Sequence, residues 1–217
     1  MKKFRIFGMR RSGNHAIIEW ISSHFNKTTH FNDCLGWKDI RCRTNEIYGC
    51  GDNFDSVIYS YEDFAPNNEE IKRAETILIF RDWYNMMSSR LLTNRDKVRH
   101  KHSEEESDEV LETWLEYAKL YCEHPNKFIL YNHWATDPNY RKIIQKKFNL
   151  NDEYDKFTSD FPKSKIGKGS SFDKNKLNLN NVNKRHQLIK LSNPEIYEKI
   201  INKEVTYYCK TIFNIEI

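Results

Sequence analysis

FRIFGMRRSGNHAIIEWISSHF, residues 4–25, carries two different periodicities separated by a short loop. FRIFG (4–8) is an apolar run broken only by Arg5 and ended by Gly8, the pattern of a buried strand. HAIIEWISSHF (15–25) sets Ile17, Ile21 and Phe25 on one stripe at helical spacing, with Ile18 beside it. Gly8 and Gly13 bracket the loop between them. In a strand–loop–helix unit of this kind, successive loop N–H groups and the helix N-terminus face an anion.

Working outward, the same alternation recurs. SVIYSY (56–61) and ETILIF (75–80) predict two more strands, and WYNMMSSRLL (83–92) predicts a helix directly after the second. DKVRHKHSEEESDE (96–109) reads as a charged, exposed stretch. EVLETWLEYAKLY (109–121) is amphipathic, with Leu111, Trp114, Leu115 and Ala118 on one face. KFILYNHW (127–134) predicts a fourth strand with its loop. DPNYRKIIQKKFNL (137–150) predicts a helix with Pro138 in its first turn. NKLNLNNVNKR (175–185) reads as a polar surface loop. Strands alternating with helices predict an α/β fold: one P-loop-type domain over residues 1–217, a mostly parallel sheet flanked by helices. In such a sheet the ligand lies beyond the carboxyl ends of the strands. The ends of FRIFG and ETILIF are therefore the places to seek a site.

Composition narrows the options. At 217 residues the chain can bury a full core, and its 14% aromatic residues supply large core side chains. The net charge of +4 suits an anionic ligand without demanding nucleic acid, and the Lys/Arg-rich segments alternate with acids. No apolar run approaches membrane-spanning length, and the N-terminal apolar stretch is too short for a secretion signal, so a cytoplasmic location is expected. Cys34, Cys42, Cys50, Cys122 and Cys209 are odd in number with no C-x-x-C pair, which reads as reduced structural thiols. His100 and His102, with His124 further on, lack the cysteines or carboxylates that complete a metal set, so no metal site is expected.

The loop has G-x-x-x-x-G spacing but not the Lys and Ser/Thr that an ATPase loop places after the second glycine for phosphate and Mg²⁺. Asn14 and His15 stand there, and the positive charge has moved to Arg10 and Arg11. Arg11-Ser12-Gly13-Asn14-His15 resembles the (K/R)-S-G-T-T loop of sulfotransferases that use 3′-phosphoadenosine 5′-phosphosulfate (PAPS). Asn14 and His15 replace the two threonines of that loop. The resemblance implies that Arg10 through His15 hold the 5′-phosphosulfate without a metal.

Arg81 at the end of ETILIF and Ser89 eight residues on match the family's 3′-phosphate pair, with Asn85 where the family often has Asp. An arginine at a strand end and a hydroxyl two helical turns along can converge on one anion. Tyr131-Asn132-His133-Trp134, followed by Asp137-Pro138 and Phe148-Asn149-Leu150, is similar to the family's Y-E-D-L…D-P…F-L-G-L segment, which implies that Tyr131 lies near the adenine. Core aromatics are the competing reading of Tyr131 and Trp134. Lys168, Gly169 and Asp173 match three positions of the closing R-K-G-x-x-G-D loop.

The resemblance implies transfer of a sulfuryl group from PAPS to a hydroxyl or amine, with Arg11 stabilising developing charge. The general base has three candidates. Glu62 stands at the strand-end position where the family often has His; His15 and His30 are the others. A carbohydrate or small alcohol is the expected acceptor, with phenols and peptide tyrosine also open. Residues 30–50 and 93–108 are the expected walls of its pocket. Two alternatives stay open: a nucleotide or small-molecule kinase of the same fold, and a nucleotide-binding protein without turnover.

Overall fold

The computed structural model describes residues 1–34, 42–93, 104–150, 155–157, 182–192 and 194–216. Six strands form one sheet: β1 (Lys2–Gly8), β2 (Lys27–Cys34), β3 (Cys42–Gly49), β4 (Ser56–Glu62), β5 (Thr76–Phe80) and β6 (Phe128–Leu130). Their order is β3-β2-β4-β1-β5-β6, and every neighbouring pair is parallel except β2 with β3. The described helices are α1 (Asn14–Ser22), α2 (Asn68–Lys72), α3 (Trp83–Thr93), α4 (Glu104–Glu123), α5 (Tyr131–Thr136), α6 (Pro138–Lys147), α7 (Arg185–Ser192), α8 (Pro194–Lys199) and α9 (Lys203–Phe213). The expected α/β architecture with flanking helices is what the chain adopts.

The continuous apolar runs of β1 and β5 follow from burial on both faces, because helices cover each side of a parallel sheet. Alternate residues go to opposite faces. Phe4, Ile6, Ile77 and Ile79 pack with α1, α5 and α6 through Ile17, Trp20, Trp134 and Ile144. Phe7, Leu78 and Phe80 pack with α3, α4 and α9 through Trp83, Trp114 and Phe213. Arg5, the charged interruption in β1, is buried with Glu70 of α2 at 3.2 Å.

The chain leaves β1 toward β2 and β4 on one side and later fills β5 and β6 on the other. β1 is therefore the point where strand order reverses, and a crevice opens at the carboxyl ends of its neighbours. Three loops meet at that edge: Gly8–His15 after β1, Glu62–Asp63 at the end of β4, and Arg81–Asp82 after β5.

Several expectations need correction. β6 stops at Leu130, and Tyr131–Trp134 lie on helix α5 instead of in a strand loop. The reason is register: Leu130 pairs with Phe80, the last residue of β5, so no partner continues the ladder. α4 begins at Glu104, inside the stretch read as merely charged and exposed. β2 and β3 form an antiparallel pair; β3 is an edge strand that alternates half-buried with exposed residues and carries few apolar ones. Within the Asn-rich run, Val182 and Arg185 are buried instead of on the surface. The C-terminal helices α7 to α9 were not anticipated. No helix among the described residues is long and apolar enough to cross a membrane.

Asp82 shows how the edge is held. It is fully buried and accepts hydrogen bonds from Asn85 N (2.8 Å) and Asn85 Nδ2 (3.0 Å), and Asn132 Nδ2 donates to its second oxygen at 2.7 Å. Asn132 Nδ2 also reaches Asn183 Oδ1, and His186 N donates to Asn85 Oδ1. This network ties α3, α5 and α7 together. Asp82→Ala removes the acceptor from a helix cap and two buried amides, so unfolding stability should drop by ~2–4 kcal/mol in chemical denaturation. A loss below ~1 kcal/mol would show that water replaces the carboxylate.

Candidate functional site

The Gly8–His15 loop is shaped by its own side chains. Ser12 N bonds Met9 O at 3.1 Å, and Arg11 (φ 70°) and Gly13 (φ 88°) take left-handed conformations. Asn14 points back into the loop, its Nδ2 near Gly8 O (3.3 Å), Met9 O (3.2 Å) and Glu62 Oε1 (3.4 Å). Both glycines are dictated by close approach. A Cβ on Gly8 would lie 2.2 Å from Asn14 Oδ1, and one on Gly13 would lie 2.1 Å from the Tyr131 ring. At the start of α1, Gly13 supplies no side-chain cap and the first turn holds no acid. The positive end of that helix is thus left for an external anion.

Arginines crowd the loop. Arg10 and Arg11 are exposed, whereas Arg90 and Arg185 are buried. Protein packed around the Arg11 guanidinium lowers its pKa; Glu62 opposes the shift, and Arg90, Arg10 and Arg185 add to it. Three other guanidiniums are therefore near enough to repel that of Arg11. Carboxylates hold two of them. Glu62 Oε2 lies 3.4 Å from Arg10 Nε, and Asp63 accepts from Arg10 N (2.9 Å) and from Arg90 Nη2. Asp33, at the end of β2, lies 3.7 Å from Arg10 Nη2 and 3.9 Å from Arg43 Nη1.

Arg81 and Ser89, the residues expected to share a second phosphate, contact different partners. Arg81 is 1% exposed and supports the loop: Nη1 donates to Arg11 O (3.0 Å), Nη2 donates to Val182 O (3.1 Å), and the guanidinium sits 4.8 Å from the Tyr131 ring centre. Tyr131 is itself buried between Gly13 and the core, which puts it among the core aromatics. Ser89 is buried on α3 and meets a cation that the sequence reading did not single out: Arg185 Nη1 approaches Ser89 Oγ at 3.4 Å. Arg185 falls in a run dominated by Asn and Lys, which gave no signal of burial. Arg90, one residue beyond Ser89 on α3, is buried and paired with Asp63. Lys168, Gly169 and Asp173 lie outside the described residues.

The three candidate bases sit together. His15 Nε2 is 3.8 Å from Glu62 Oε1, and its ring stands edge-on to His30 at 6.4 Å. His15 Nδ1 and Ser12 Oγ are buried without a hydrogen-bond partner among the described residues. His30 is wholly buried, with Nε2 2.8 Å from Ser60 Oγ and Nδ1 3.4 Å from Glu46 Oε2. Tyr48 donates to the same Glu46 oxygen. Among the described residues no group of three or more His, Cys, Asp or Glu side chains is placed to hold a metal ion. No protein family, curated protein or solved structure matches this chain.

Taken chemically, the edge offers an uncapped helix end, a cluster of guanidiniums and unpartnered buried hydroxyl and imidazole atoms. That set suits an anion with several oxygens. Burial has a further consequence at His30, where it lowers the pKa from 6.5 against the Glu46 hydrogen bond. The unfolded chain then takes up the proton first, so stability is lost as pH falls through about 6.5. His30→Asn should flatten the decline of Tm between roughly pH 7 and 5. His186, pushed the same way by burial, will keep part of the slope. An unchanged slope in the variant would show that His30 takes up no extra proton on unfolding.

Proposed function

We propose that this protein is a P-loop-type sulfotransferase that moves a sulfuryl group from PAPS to a hydroxyl acceptor. One observation carries the reading: Arg10 and Arg11 stand in the loop before an uncapped helix end, Arg90 Nε donates to Arg10 O at 3.2 Å, and the loop lacks the Lys and Ser/Thr of a metal-assisted phosphate site. Like charges at close range are costly unless an anion compensates them. Ser12 Oγ, buried without a partner among the described residues, would donate a hydrogen bond to a phosphosulfate oxygen.

In this reading Arg11, Ser12, Gly13 and His15 hold the 5′ end of the donor, while Asn14 and Arg81 keep the loop in shape. Ser89 and Arg185 recognise the 3′-phosphate. PAPS supplies an activated sulfuryl group. During transfer an acceptor oxygen–sulfur bond forms and the sulfur–oxygen bond to the 5′-phosphate breaks, so negative charge builds on the leaving oxygen. Arg11 faces that charge. The acceptor proton passes to the Glu62–His15 pair, whose polar atoms approach to 3.8 Å at the end of β4. Arg10 and Asn14 fix the Glu62 carboxylate beside His15.

Donor recognition can be measured without knowing the acceptor. Adenosine 3′,5′-bisphosphate should bind in calorimetric titration without Mg²⁺, roughly ten- to a hundred-fold more tightly than AMP, the worth of one charge-assisted contact. Arg185→Gln should shrink that preference most, and Ser89→Ala less. Arg81→Ala is a poor probe because it frees two backbone carbonyls and undermines the loop. Equal affinity for the two nucleotides would remove the 3′-phosphate assignment.

Transfer gives a second test once an acceptor screen has found a substrate. Arg11→Ala should lower kcat by ~10²-fold or more, with a smaller effect on binding of adenosine 3′,5′-bisphosphate. Normal turnover in that variant would exclude Arg11 from the reaction.

A further inference from the structure

Cys34 ends β2 and Cys42 begins β3, and the two are paired residues in the antiparallel ladder. Opposite residues of such a ladder have Cα atoms roughly 4.5–5.5 Å apart, inside the roughly 4.4–6.8 Å range that a disulfide spans, and their side chains leave the same face of the sheet. Cys42 packs against the apolar cluster that contains Cys34. Both are free thiols. Spacing along the chain hid this: seven residues separate them, so no C-x-x-C pattern appears.

We infer that Cys34 and Cys42 form a modification site, a dithiol that a small-molecule disulfide such as oxidised glutathione converts to an intramolecular disulfide. This does not rest on the sulfotransferase reading. The order of events follows from exposure. Cys42 is half-buried while Cys34 is 6% exposed, so Cys42 meets the reagent first. Its thiolate attacks one sulfur of the reagent, forming a mixed disulfide and releasing one thiolate. The Cys34 thiolate then attacks the Cys42 sulfur, forming the Cys34–Cys42 bond and expelling the second thiolate. The two protons lost by the cysteines end on the two released thiols. Two cysteines are oxidised and one reagent disulfide is reduced.

The second step is the slow one. Burial, with the neighbouring Cys42 adding to it, pushes the Cys34 thiol up to about 12. Raising the pH should therefore speed closure of the mixed disulfide. The new bond would join β2 to β3 next to Asp33 and Arg43, the pair that borders Arg10 on the sheet edge.

The experiment is oxidation of the dilute full chain by oxidised glutathione, followed by alkylation and non-reducing peptide mapping by mass spectrometry. Exposed Cys50 and Cys122 serve as internal references for simple glutathione adducts. The expected product is a cross-linked peptide pair containing Cys34 and Cys42, lighter by two hydrogen atoms than the separate peptides. Cys42→Ser should abolish it and leave Cys34 unmodified. Cys34→Ala, a second variant on the buried side, should stop the reaction at a stable Cys42–glutathione adduct. The inference is overturned if wild-type Cys42 ends as a stable adduct, if the cross-link joins two chains, or if both cysteines stay reduced while Cys50 and Cys122 react.

Discussion

Arg81 is 1% exposed, yet it touches four distant parts of the chain. Its guanidinium donates to Arg11 O in the loop after β1 and to Val182 O ahead of α7, and lies over Tyr131 of α5. Its own carbonyl accepts from Trp114 Nε1 of α4 at 2.9 Å. Burying a charge this completely is costly unless its donors are met by good acceptors. The carbonyls that meet them belong to the segments that build the crevice. The loop after β1, helix α5 and the segment that leads into Arg185 are therefore coupled through one side chain. Any description of the site that assigns Arg81 to ligand contact alone leaves this coupling out.

The charges on the solvent side of the loop follow a different logic. Asp33 and Asp63, both at strand ends, occupy left-handed backbone conformations (φ 55° and 53°) that non-glycine residues seldom adopt. Both reach Arg10. Their conformations place carboxylates where the strands finish, so Arg10 is bracketed by Asp33, Glu62 and Asp63 while Arg90 is tied to Asp63. Arg10 is 45% exposed at its side chain, so these pairs lie in a strongly screening environment and each contributes little to stability. Their effect is positional. They draw Arg10 toward the β2–β4 side of the crevice.

The sheet was legible because β1 and β5 are buried on both faces and so read as apolar runs, interrupted in β1 by Arg5. The glycines were legible because close approach leaves no other choice: Gly8 faces Asn14 and Gly13 faces Tyr131. β3 was illegible for the opposite reason; an edge strand with one half-buried face needs few apolar residues, and CRTNEIYG has few. At the site, Arg10, Arg11, Ser12, Glu62 and His15 do meet, as their positions at the ends of β1 and β4 implied. Arg185 could not be read, because its burial depends on the Asp82–Asn132–Asn183 network formed between segments far apart in sequence. The inward turn of Asn14 was likewise invisible: an amide in a loop can donate outward or to its own backbone, and only the fold decides.

That inward turn bears on the whole reading of the loop. A threonine in place of Asn14 has one hydroxyl and could not span Gly8 O, Met9 O and Glu62 together; the asparagine amide reaches all three within 3.4 Å. The loop is thus closed by side-chain-to-backbone bonds that exist before any ligand arrives. Preorganised donors cost no reorganisation when charge develops, which is the condition under which they are most effective. Asn14, a residue at which this loop differs from the sulfotransferase pattern, therefore holds the loop's shape from within. With Asn14 turned inward, Ser12 Oγ and His15 Nδ1 at this loop's helix end stay buried without a hydrogen-bond partner among the described residues.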